Sequence, residues 1–384
     1  MHKAYLLLLS IGISFFLQAQ HLVTVRIMKL PSYHKSNDTV YLTGGFNNWN
    51  PGQKDLAFKK DEKGNYFITL TAPAGKHEYK ITRGNWDKVE SNESGLPLNN
   101  RVVEVNGNTT IEISIQHWAD HFPKKNKVST ASKNVRIIET AFYMPQLNRH
   151  RRIWIYLPES YSTSRKKYPV LYMHDGQNVF DDTTSFSGEW GVDETLDTLG
   201  KEVGESIVVA IDNGGDKRMN EYSPYDTVLS NNITSLKVEG EGDQYVDFIV
   251  NTLKPFIQKK YRIKKDRKYQ FIAGSSMGGL ISLYALLKYP KEFGGAGVFS
   301  PSLWIAPKLK DFIAQKAKNL RGNKIYFYAG KQEGEQLVPD VMAVFEQIRK
   351  ISKAKMATVI RTEGKHNEAT WRKEFPLFYK WIMQ

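Results

Sequence analysis

The chain has 384 residues, more than one compact core usually holds, so we expect two domains. Hydrophobic residues make up 41% and aromatic residues 12% of it, which excludes an intrinsically disordered protein. The formal charge is +14, but basic and aromatic residues are not interleaved as in a nucleic-acid-binding surface, so we predict no nucleic-acid partner. Cysteine is absent, which excludes disulfide bonds and a lipid anchor on an N-terminal cysteine.

The beginning of the chain has the pattern of an export signal. Lys3 supplies a positive charge, residues 5–17 are nearly all apolar, and Leu17-Gln18-Ala19 ends in a small residue. The apolar stretch is shorter than the about 20 residues that cross a bilayer. We therefore predict a signal peptide over residues 1–19 and an exported protein, periplasmic or secreted, without membrane insertion after the signal is removed.

Residues 20–118 alternate between apolar and polar side chains, as half-buried strands do. Turn residues such as Asn106-Gly107-Asn108 separate the alternating runs at the even spacing of a sandwich. This pattern predicts a small immunoglobulin-like β-sandwich. The alternating runs are Val23-Val25-Ile27, Tyr66-Ile68-Leu70, Tyr79-Ile81, Val103-Val105 and Ile111-Ile113-Ile115.

Residues 119–134 are predicted to form a linker. The part from Pro123 to Asn134 is polar and has no hydrophobic period, so it buries too little apolar surface to fold by itself. A local cluster of lysines, Lys124, Lys125 and Lys127, lies within it.

Residues 135–384 have continuous apolar runs separated by helical patterns. Continuous runs indicate strands that are buried on both faces, which is typical of a parallel sheet covered by helices. We therefore predict an α/β fold for this second domain. The runs are residues 170–173, 207–211, 271–273 and 325–328, and the helical faces are Tyr245-Phe248-Ile249-Leu253 and Trp371-Phe375-Phe378-Ile382.

A nucleophile motif follows one of these strands. Residues 274–278 read G-x-S-x-G and lie between an apolar strand and a helix predicted over residues 280–288. A sharp turn from strand to helix strains the serine backbone and requires small neighbours. We predict Ser276 as the nucleophile and the Met277 amide, at the helix start, as an oxyanion donor. An ordinary glycine-rich turn is the alternative.

A catalytic serine needs a base and an acid, which follow it in the order serine, acid, histidine in this type of fold. His366 is the only histidine after Ser276, and it lies in a glycine-containing loop, so it is the candidate base. Glu333 is the preferred acid because it follows the strand at residues 325–329 and the turn at Gly330. Asp311, Glu335 and Asp340 also fall in the interval, and the last two stay open as the acid.

The remaining candidate site residues are chosen by their position relative to the predicted strands. A second oxyanion donor is expected in the loop after an earlier strand, where the backbone amide of Gln177 is our candidate. His174 and Asp175 in the same loop are expected to fix its conformation. Trp190 and Trp304 are candidates for lining an acyl pocket, although an aromatic residue is more often part of the core.

Six segments of the second domain match the motifs of known esterases: YMHDGQN at 172–178, SGEWG at 187–191, GSSMGG at 274–279, SPSLW at 300–304, AGKQE at 329–333 and GKHNE at 364–368. Through them residues 135–384 resemble the esterases grouped with enterochelin esterase, family-one carbohydrate esterases such as feruloyl and acetylxylan esterases, and mycobacterial mycolyltransferases. The resemblance implies an α/β-hydrolase fold and an acyl-enzyme on Ser276, with His366 as base and then acid, Glu333 as the acidic residue and Gln177 at the oxyanion. It implies no metal and no cofactor.

The first domain has its own resemblance, carried by GGFNNW at 44–49, HEYK at 77–80 and Trp86. It is similar to the glycogen-binding modules of branching enzymes and of the AMP-activated kinase β subunit. The similarity implies sugar contacts by Trp49, Lys80 and Trp86. Residues 83–90 depart from the glycogen-binding pattern, so a purely structural sandwich stays open as the alternative.

Together these features predict an exported serine esterase that acts on acylated carbohydrate, such as a feruloylated or acetylated plant glycan. A siderophore-ester hydrolase is an alternative, because ferric tricatecholate complexes are anionic and the chain is basic. A glycan-binding protein with an inert hydrolase domain is an alternative of another class.

Overall fold

The computed structural model describes residues 20–47, 49–123, 128–230 and 235–384. They belong to two compact units, one of Met1–Lys125 with Ser230–Leu236 and the other of Asn126–Leu229 with Lys237–Gln384. The predicted signal peptide and Lys124, Lys125 and Lys127 lie outside the described residues. Within the described ranges, no helix combines the length and apolar character needed to cross a membrane.

The first unit is a sandwich of a four-stranded sheet, in the order β3-β4-β1-β8, and a three-stranded sheet, in the order β2-β5-β7. Val23, Val25 and Ile27 of one sheet share a buried core with Leu42 and Ile81 of the other. Alternation therefore places every second side chain inside, as predicted. The strands are β1 (Gln20–Lys29), β2 (Tyr41–Gly44), β3 (Lys59–Lys60), β4 (Tyr66–Pro73), β5 (Gly75–Thr82), β6 (Glu90–Ser91), β7 (Arg101–Val105), β8 (Thr109–Ser114) and β9 (His117–Trp118).

The second unit is built on an eight-stranded sheet in the order β10-β11-β13-β12-β16-β17-β18-β19. The strands from β13 to β19 in this order pair in parallel, and β10 and β11 form the antiparallel end. A separate two-stranded sheet joins β14 and β15. The strands of the large sheet are β10 (Val135–Met144), β11 (Arg149–Tyr156), β12 (Val170–Met173), β13 (Ile207–Ile211), β16 (Gln270–Ser275), β17 (Gly295–Phe299), β18 (Lys324–Gly330) and β19 (Lys355–Arg361); those of the two-stranded sheet are β14 (Thr227–Ser230) and β15 (Ser235–Val238).

Helices of the second unit alternate with these strands along the chain. A π-helical turn, Ile249–Leu253, joins α4 to α5 without a break. The helices are α1 (Ser160–Thr163), α2 (Val192–Val203), α3 (Arg218–Tyr222), α4 (Gly242–Phe248), α5 (Lys254–Lys260), α6 (Met277–Lys288), α7 (Leu309–Lys316), α8 (Leu337–Ile351) and α9 (Glu368–Met383).

Both faces of the large sheet are buried, which confirms the prediction of an α/β fold. In β12, Val170 and Tyr172 belong to one core cluster, whereas Leu171 and Met173 belong to the other. Because successive side chains of a strand point to opposite faces, a run that is apolar at every position supplies both clusters. Helix α9 covers one face through its predicted aromatic stripe.

Residues 129–134, part of the predicted linker, make hydrogen bonds within the second unit. Ser129 Oγ donates to Asp181, and the Ser132 amide donates to Asp193. The Asn134 side-chain amide donates to Asp197. Hydrogen bonds to two buried carboxylates and one half-buried carboxylate thus stabilise this polar segment, which makes few apolar contacts.

Parallel pairing puts the carboxyl ends of β12, β16, β17, β18 and β19 at one edge of the sheet. The loops at that edge carry Gln177, Ser276, Ser300, Glu333 and His366. In open α/β sheets this edge is where ligands bind.

Candidate active site

Ser276 lies on a strained turn between β16 and α6, with φ 58° and ψ −121°. Its amide donates to the carbonyl of Phe299 at 2.9 Å, which ties the turn to the end of β17. The glycines around it have no room for a side chain, since a Cβ on Gly274 would lie 2.9 Å from the carbonyl carbon of Gly278 and one on Gly279 would lie 2.6 Å from the Phe299 oxygen. Close packing therefore requires Gly274, the first glycine of the G-x-S-x-G pattern, and Gly279, which directly follows the pattern.

His366 and Glu333 are in direct contact. Nδ1 of His366 lies 2.7 Å from Oε2 of Glu333, and Oε1 of Glu333 accepts from Ser300 Oγ at 2.8 Å and from the Gly330 amide at 2.7 Å. The Glu333 side chain is fully buried, whereas the His366 side chain is 43% exposed. A carboxylate held in this way fixes the ring so that Nε2 faces away from it, free to take a proton.

The other candidate acids make different contacts. Glu335 is exposed, and Asp340 on α8 accepts a hydrogen bond from Gln336 at 3.0 Å. In the described residues, Glu333 is the carboxylate that hydrogen-bonds to His366.

Ser300 and Trp371 hold this pair in place. Ser300, with φ 44°, accepts a hydrogen bond from Trp371 Nε1 at 3.0 Å while it donates to Glu333. The Trp371 ring meets the His366 ring edge to face, with centroids 5.0 Å apart. The sequence analysis did not assign a role to either residue. For Ser300 the SPSLW motif, which begins at this residue, was a signal that could have indicated a role in the site.

Ser302 is a further neighbour of the candidate nucleophile that the sequence analysis missed. Its hydroxyl lies 3.1 Å from Ser276 Oγ, and its amide donates to the Ser276 carbonyl at 3.1 Å. In the described residues Ser276 makes no hydrogen bond to His366. Contacts between nucleophile and base are often long in unliganded enzymes and tighten when substrate binds.

Two backbone amides are available as oxyanion donors. The amide of Met277, at the start of α6, and the amide of Gln177, in the turn Gly176–Asn178, donate to no acceptor among the described residues. The Gln177 side chain is held by the Asn213 amide at 3.1 Å, and the Gln177 carbonyl by the Thr184 hydroxyl at 2.7 Å. Free amides at a helix start and a fixed loop are what a developing oxyanion requires.

His174 and Asp175 are buried beneath the Gln177 loop, where we expected residues that fix it. Asp175, with φ 54°, makes two hydrogen bonds to Arg218, at 2.6 and 2.8 Å, and one to Asn213 at 2.7 Å. Burial alone would raise the pKa of Asp175, but the paired Arg218 outweighs it and holds the pKa below its usual value. Burial lowers the pKa of His174 to about 4, so this imidazole is neutral near pH 7.

The two tryptophans proposed for an acyl pocket differ in exposure. Trp190 is only 3% exposed and packs against Phe299 and Trp371, which places its ring in the core. Trp304 is 59% exposed. It lines a cavity of about 110 Å³ and lies two residues after Ser302, the neighbour of Ser276.

In the first unit, the loops that carry Trp49 and Trp86 approach each other. A Cβ on Gly52 would lie 2.5 Å from the carbonyl oxygen of Gly84, so these loops touch through glycine. Both tryptophans are half-buried. The Lys80 ammonium donates to the carbonyl of Leu98, and burial lowers its pKa.

Comparison with known proteins places the second unit in a family. The family model described as "Putative esterase" matches residues 144–381, more than half of the chain. The Uncharacterized protein YbbA of Bacillus subtilis is 29% identical over 188 residues, which are 49% of this chain and 70% of that protein. The Endo-1,4-beta-xylanase/feruloyl esterase of Xylanibacter ruminicola is 23% identical over 339 residues, which are 84% of this chain and 40% of that enzyme.

Solved structures show the same fold. The enterobactin esterase FES from Shigella flexneri superposes with a TM-score of 0.53 and 15% identity, over 94% of this chain and 92% of that one. This likeness is one of fold. From the family match, the chain belongs to the esterase family and is a carboxylic ester hydrolase of the α/β-hydrolase type.

Proposed function

We propose that this esterase works through an acyl-enzyme on Ser276, with His366 as base and Glu333 as the residue that orients it. The observation that carries the proposal is the 2.7 Å contact between His366 and the buried Glu333, at the sheet edge where the strained turn presents Ser276. A nucleophile after β16, an orienting carboxylate after β18 and a base after β19, all at one edge of the sheet, are the parts that acyl transfer needs.

The reaction has two halves. Ser276 Oγ attacks the ester carbonyl while His366 Nε2 takes its proton, and the imidazolium is stabilised by Glu333. His366 then gives the proton to the leaving alcohol, which departs and leaves the acyl group on Ser276. Water, deprotonated by His366, attacks this acyl-enzyme, and the acid is released as the Ser276 hydroxyl regains its proton.

The Met277 and Gln177 amides are proposed to bind the oxyanion of each tetrahedral intermediate. Their hydrogens have no acceptor among the described residues, so binding an oxyanion would break no existing hydrogen bond. Donors that need no rearrangement stabilise developing charge most effectively.

For the substrate we propose an ester of an acylated carbohydrate, such as a feruloylated or acetylated plant glycan. The match to a xylanase/feruloyl esterase over 84% of this chain supports this class. So does the exposed Trp304, whose apolar face suits a feruloyl ring or a pyranose. We further propose export to the periplasm or medium, where such glycans are met, and a sugar contact by Trp49 and Trp86 of the first unit.

The test of the chemistry is p-nitrophenyl acetate turnover by the protein and by Ser276→Ala. We expect a loss of about 10³-fold or more in kcat, since removal of a triad member costs at least that much. Ser352→Ala, a serine beyond the end of α8, is the matched control and should retain full turnover. Equal turnover by Ser276→Ala would contradict the acyl-enzyme proposal.

The test of the substrate is a screen of feruloylated arabinoxylan, acetylated xylan and a ferric tricatecholate triester. We expect ferulate or acetate release to exceed triester opening. Triester opening alone would favour the siderophore alternative. Glycan affinity without turnover of any ester would favour the binding-protein alternative.

A further inference from the structure

Three carboxylates meet at the beginning of α2, away from the contacts of the proposed triad. Glu189 lies in the SGEWG segment before the helix, and Asp193 and Glu194 lie in its first turn. Each offers an oxygen within 4.8 Å of the oxygens that the other two offer. Glu189 is 4% exposed and Asp193 is 0% exposed, so two of the three are removed from solvent.

Each of these carboxylates has one oxygen without a partner. Glu189 Oε2, Asp193 Oδ1 and Glu194 Oε2 are buried and accept no hydrogen bond from the described residues. A buried charged oxygen that accepts nothing is costly, so native proteins almost always give it a donor or a cation. Asp193 Oδ2, in contrast, accepts from the Ser132 amide at 2.6 Å.

Arg372 is a cation beside these three carboxylates, but its contacts with them are too long to compensate their charge. Its Nη atoms lie 3.3 Å from Glu189 Oε1 and 3.4 Å from Glu194 Oε1, longer than the about 2.7–2.9 Å of a good charge-assisted bond. One guanidinium also balances only one of three carboxylates. In agreement with this deficit, burial raises the pKa of Glu189 and that of Asp193, each to about 7.

We propose that Glu189, Asp193 and Glu194 bind a divalent cation of the hard, oxygen-preferring class, for which Ca²⁺ is the probe. Oxygens bound to Ca²⁺ lie about 2.3–2.6 Å from it, so two ligands of one ion are up to about 5 Å apart. The 4.8 Å spread of the carboxylate oxygens fits that limit. Water would complete the coordination, since Ca²⁺ takes about 6–8 oxygens.

The proposed ion would stiffen two neighbouring parts of the second unit. Asp193 accepts a hydrogen bond from the amide of Ser132, which lies in the segment 129–134. Trp190, next to Glu189, stacks on Trp371, whose indole nitrogen donates to Ser300 in the proposed active site. Binding is therefore expected to raise stability directly, and turnover only through the position of Trp371.

A shared proton is the competing explanation for the same geometry. Asp193 and Glu194 lie close enough to interact as a carboxylic acid and a carboxylate, which would need no metal. The two explanations differ because a shared proton gives no saturable response to Ca²⁺.

The experiment uses the full chain after treatment with a chelator. Isothermal titration with CaCl₂, and Tb³⁺ luminescence excited through Trp190, are each expected to show one saturable site. The Tm of the protein is expected to rise when Ca²⁺ is added. MgCl₂ and MnCl₂ titrations establish the preferred ion. Asp193→Asn and the partly exposed Glu194→Gln should each weaken binding by about tenfold or more, since even residues that only support a metal ligand contribute about 10–100-fold.

Glu346→Gln is the matched control, because Glu346 pairs with Arg349 on the exposed face of α8. It should bind Ca²⁺ as the unchanged protein does. The proposal is overturned if the unchanged protein shows no saturable binding of Ca²⁺ or Tb³⁺, or if Glu194→Gln and Glu346→Gln bind equally. None of these readouts depends on ester turnover, so failure of the ion site and failure of the acyl-enzyme proposal are separable.

Discussion

Nδ1 of His366 lies 2.7 Å from Oε2 of Glu333, although the two residues are 33 positions apart in the chain. The loop after β18 supplies the carboxylate, and the loop after the neighbouring β19 supplies the imidazole. Parallel pairing of these two strands is what brings the loops together.

We expect Glu333→Gln to lower kcat for p-nitrophenyl acetate by about 10²–10⁴-fold, because an amide in place of the carboxylate favours the wrong imidazole tautomer. The exposed Glu335→Gln is the matched control and should stay within about twofold. Steady-state kinetics of the two variants is the measurement. A larger loss of kcat in Glu335→Gln than in Glu333→Gln would identify Glu335 as the acid instead.

Ser300→Ala is expected to lower kcat about tenfold and to change KM little. It removes one of the two donors to Glu333 Oε1, so the carboxylate that positions His366 is held less firmly. Trp371→Phe keeps a ring beside His366 but removes the donor to Ser300, and should act in the same direction. The pH profile of kcat/KM is the deciding readout, since a purely structural loss would lower the profile without moving it.

Trp304→Ala is expected to raise KM for a feruloylated glycan by about 3–10-fold, which corresponds to the binding free energy of one aromatic contact. Turnover of p-nitrophenyl acetate should be nearly unchanged, since the acetyl group has no ring to stack. A parallel loss on both substrates would place Trp304 in the support of the fold instead.

Asp175→Asn should destabilise the second unit by about 3 kcal/mol, because it leaves the Arg218 guanidinium without a compensating charge. Asparagine tolerates the positive φ of this position, so backbone strain does not confound the result. Thermal unfolding is the measurement. Arg349→Gln breaks an exposed ion pair on α8 and should cost less than about 1 kcal/mol.

Without divalent cations, we expect stability to fall as pH rises from about 4.5 to 7. Burial raises the pKa of Glu189 and of Asp193 to about 7, so the folded protein keeps protons that the unfolded chain has already lost in this range. The charged groups that act on them are Glu194, Asp182 and Arg372. Unfolding midpoints across this range, for the chelated protein and for Glu189→Gln, provide the check. The variant should have the shallower slope, and equal slopes would exclude Glu189 as the cause.

Much of the fold could be predicted because burial on both faces leaves a readable pattern. The continuous apolar runs gave β12, β13, β16 and β18 in their correct places. Strand β17 lacks that signal, since Gly295 and Gly297 replace large side chains. A Cβ on Gly297 would lie 2.7 Å from the ring of Phe378, so the helix α9 fills the space from the other side.

The candidate site was predictable only where chain order restricts the choice. A single histidine follows Ser276, so His366 needed no three-dimensional information. The acid was different, because Glu333 and Glu335 are separated by one residue and only the direction of each side chain after the turn distinguishes them. Arg218 and Asp193 gave no signal, and the SGEWG motif did not indicate the contact of Glu189 with Arg372, since the hydrogen-bond partners of these residues lie far away in sequence.

The backbone conformation of Ser276 lowers the stability of the fold, whereas its side chain is required for the proposed activity. Its φ of 58° costs an L-residue about 1–3 kcal/mol, and glycine would adopt it with little strain. Glycine at this position would relax the turn and remove the only atom proposed to attack the ester. A library screened for heat resistance alone would therefore enrich an inert protein, so directed evolution of this esterase has to select for turnover at every round.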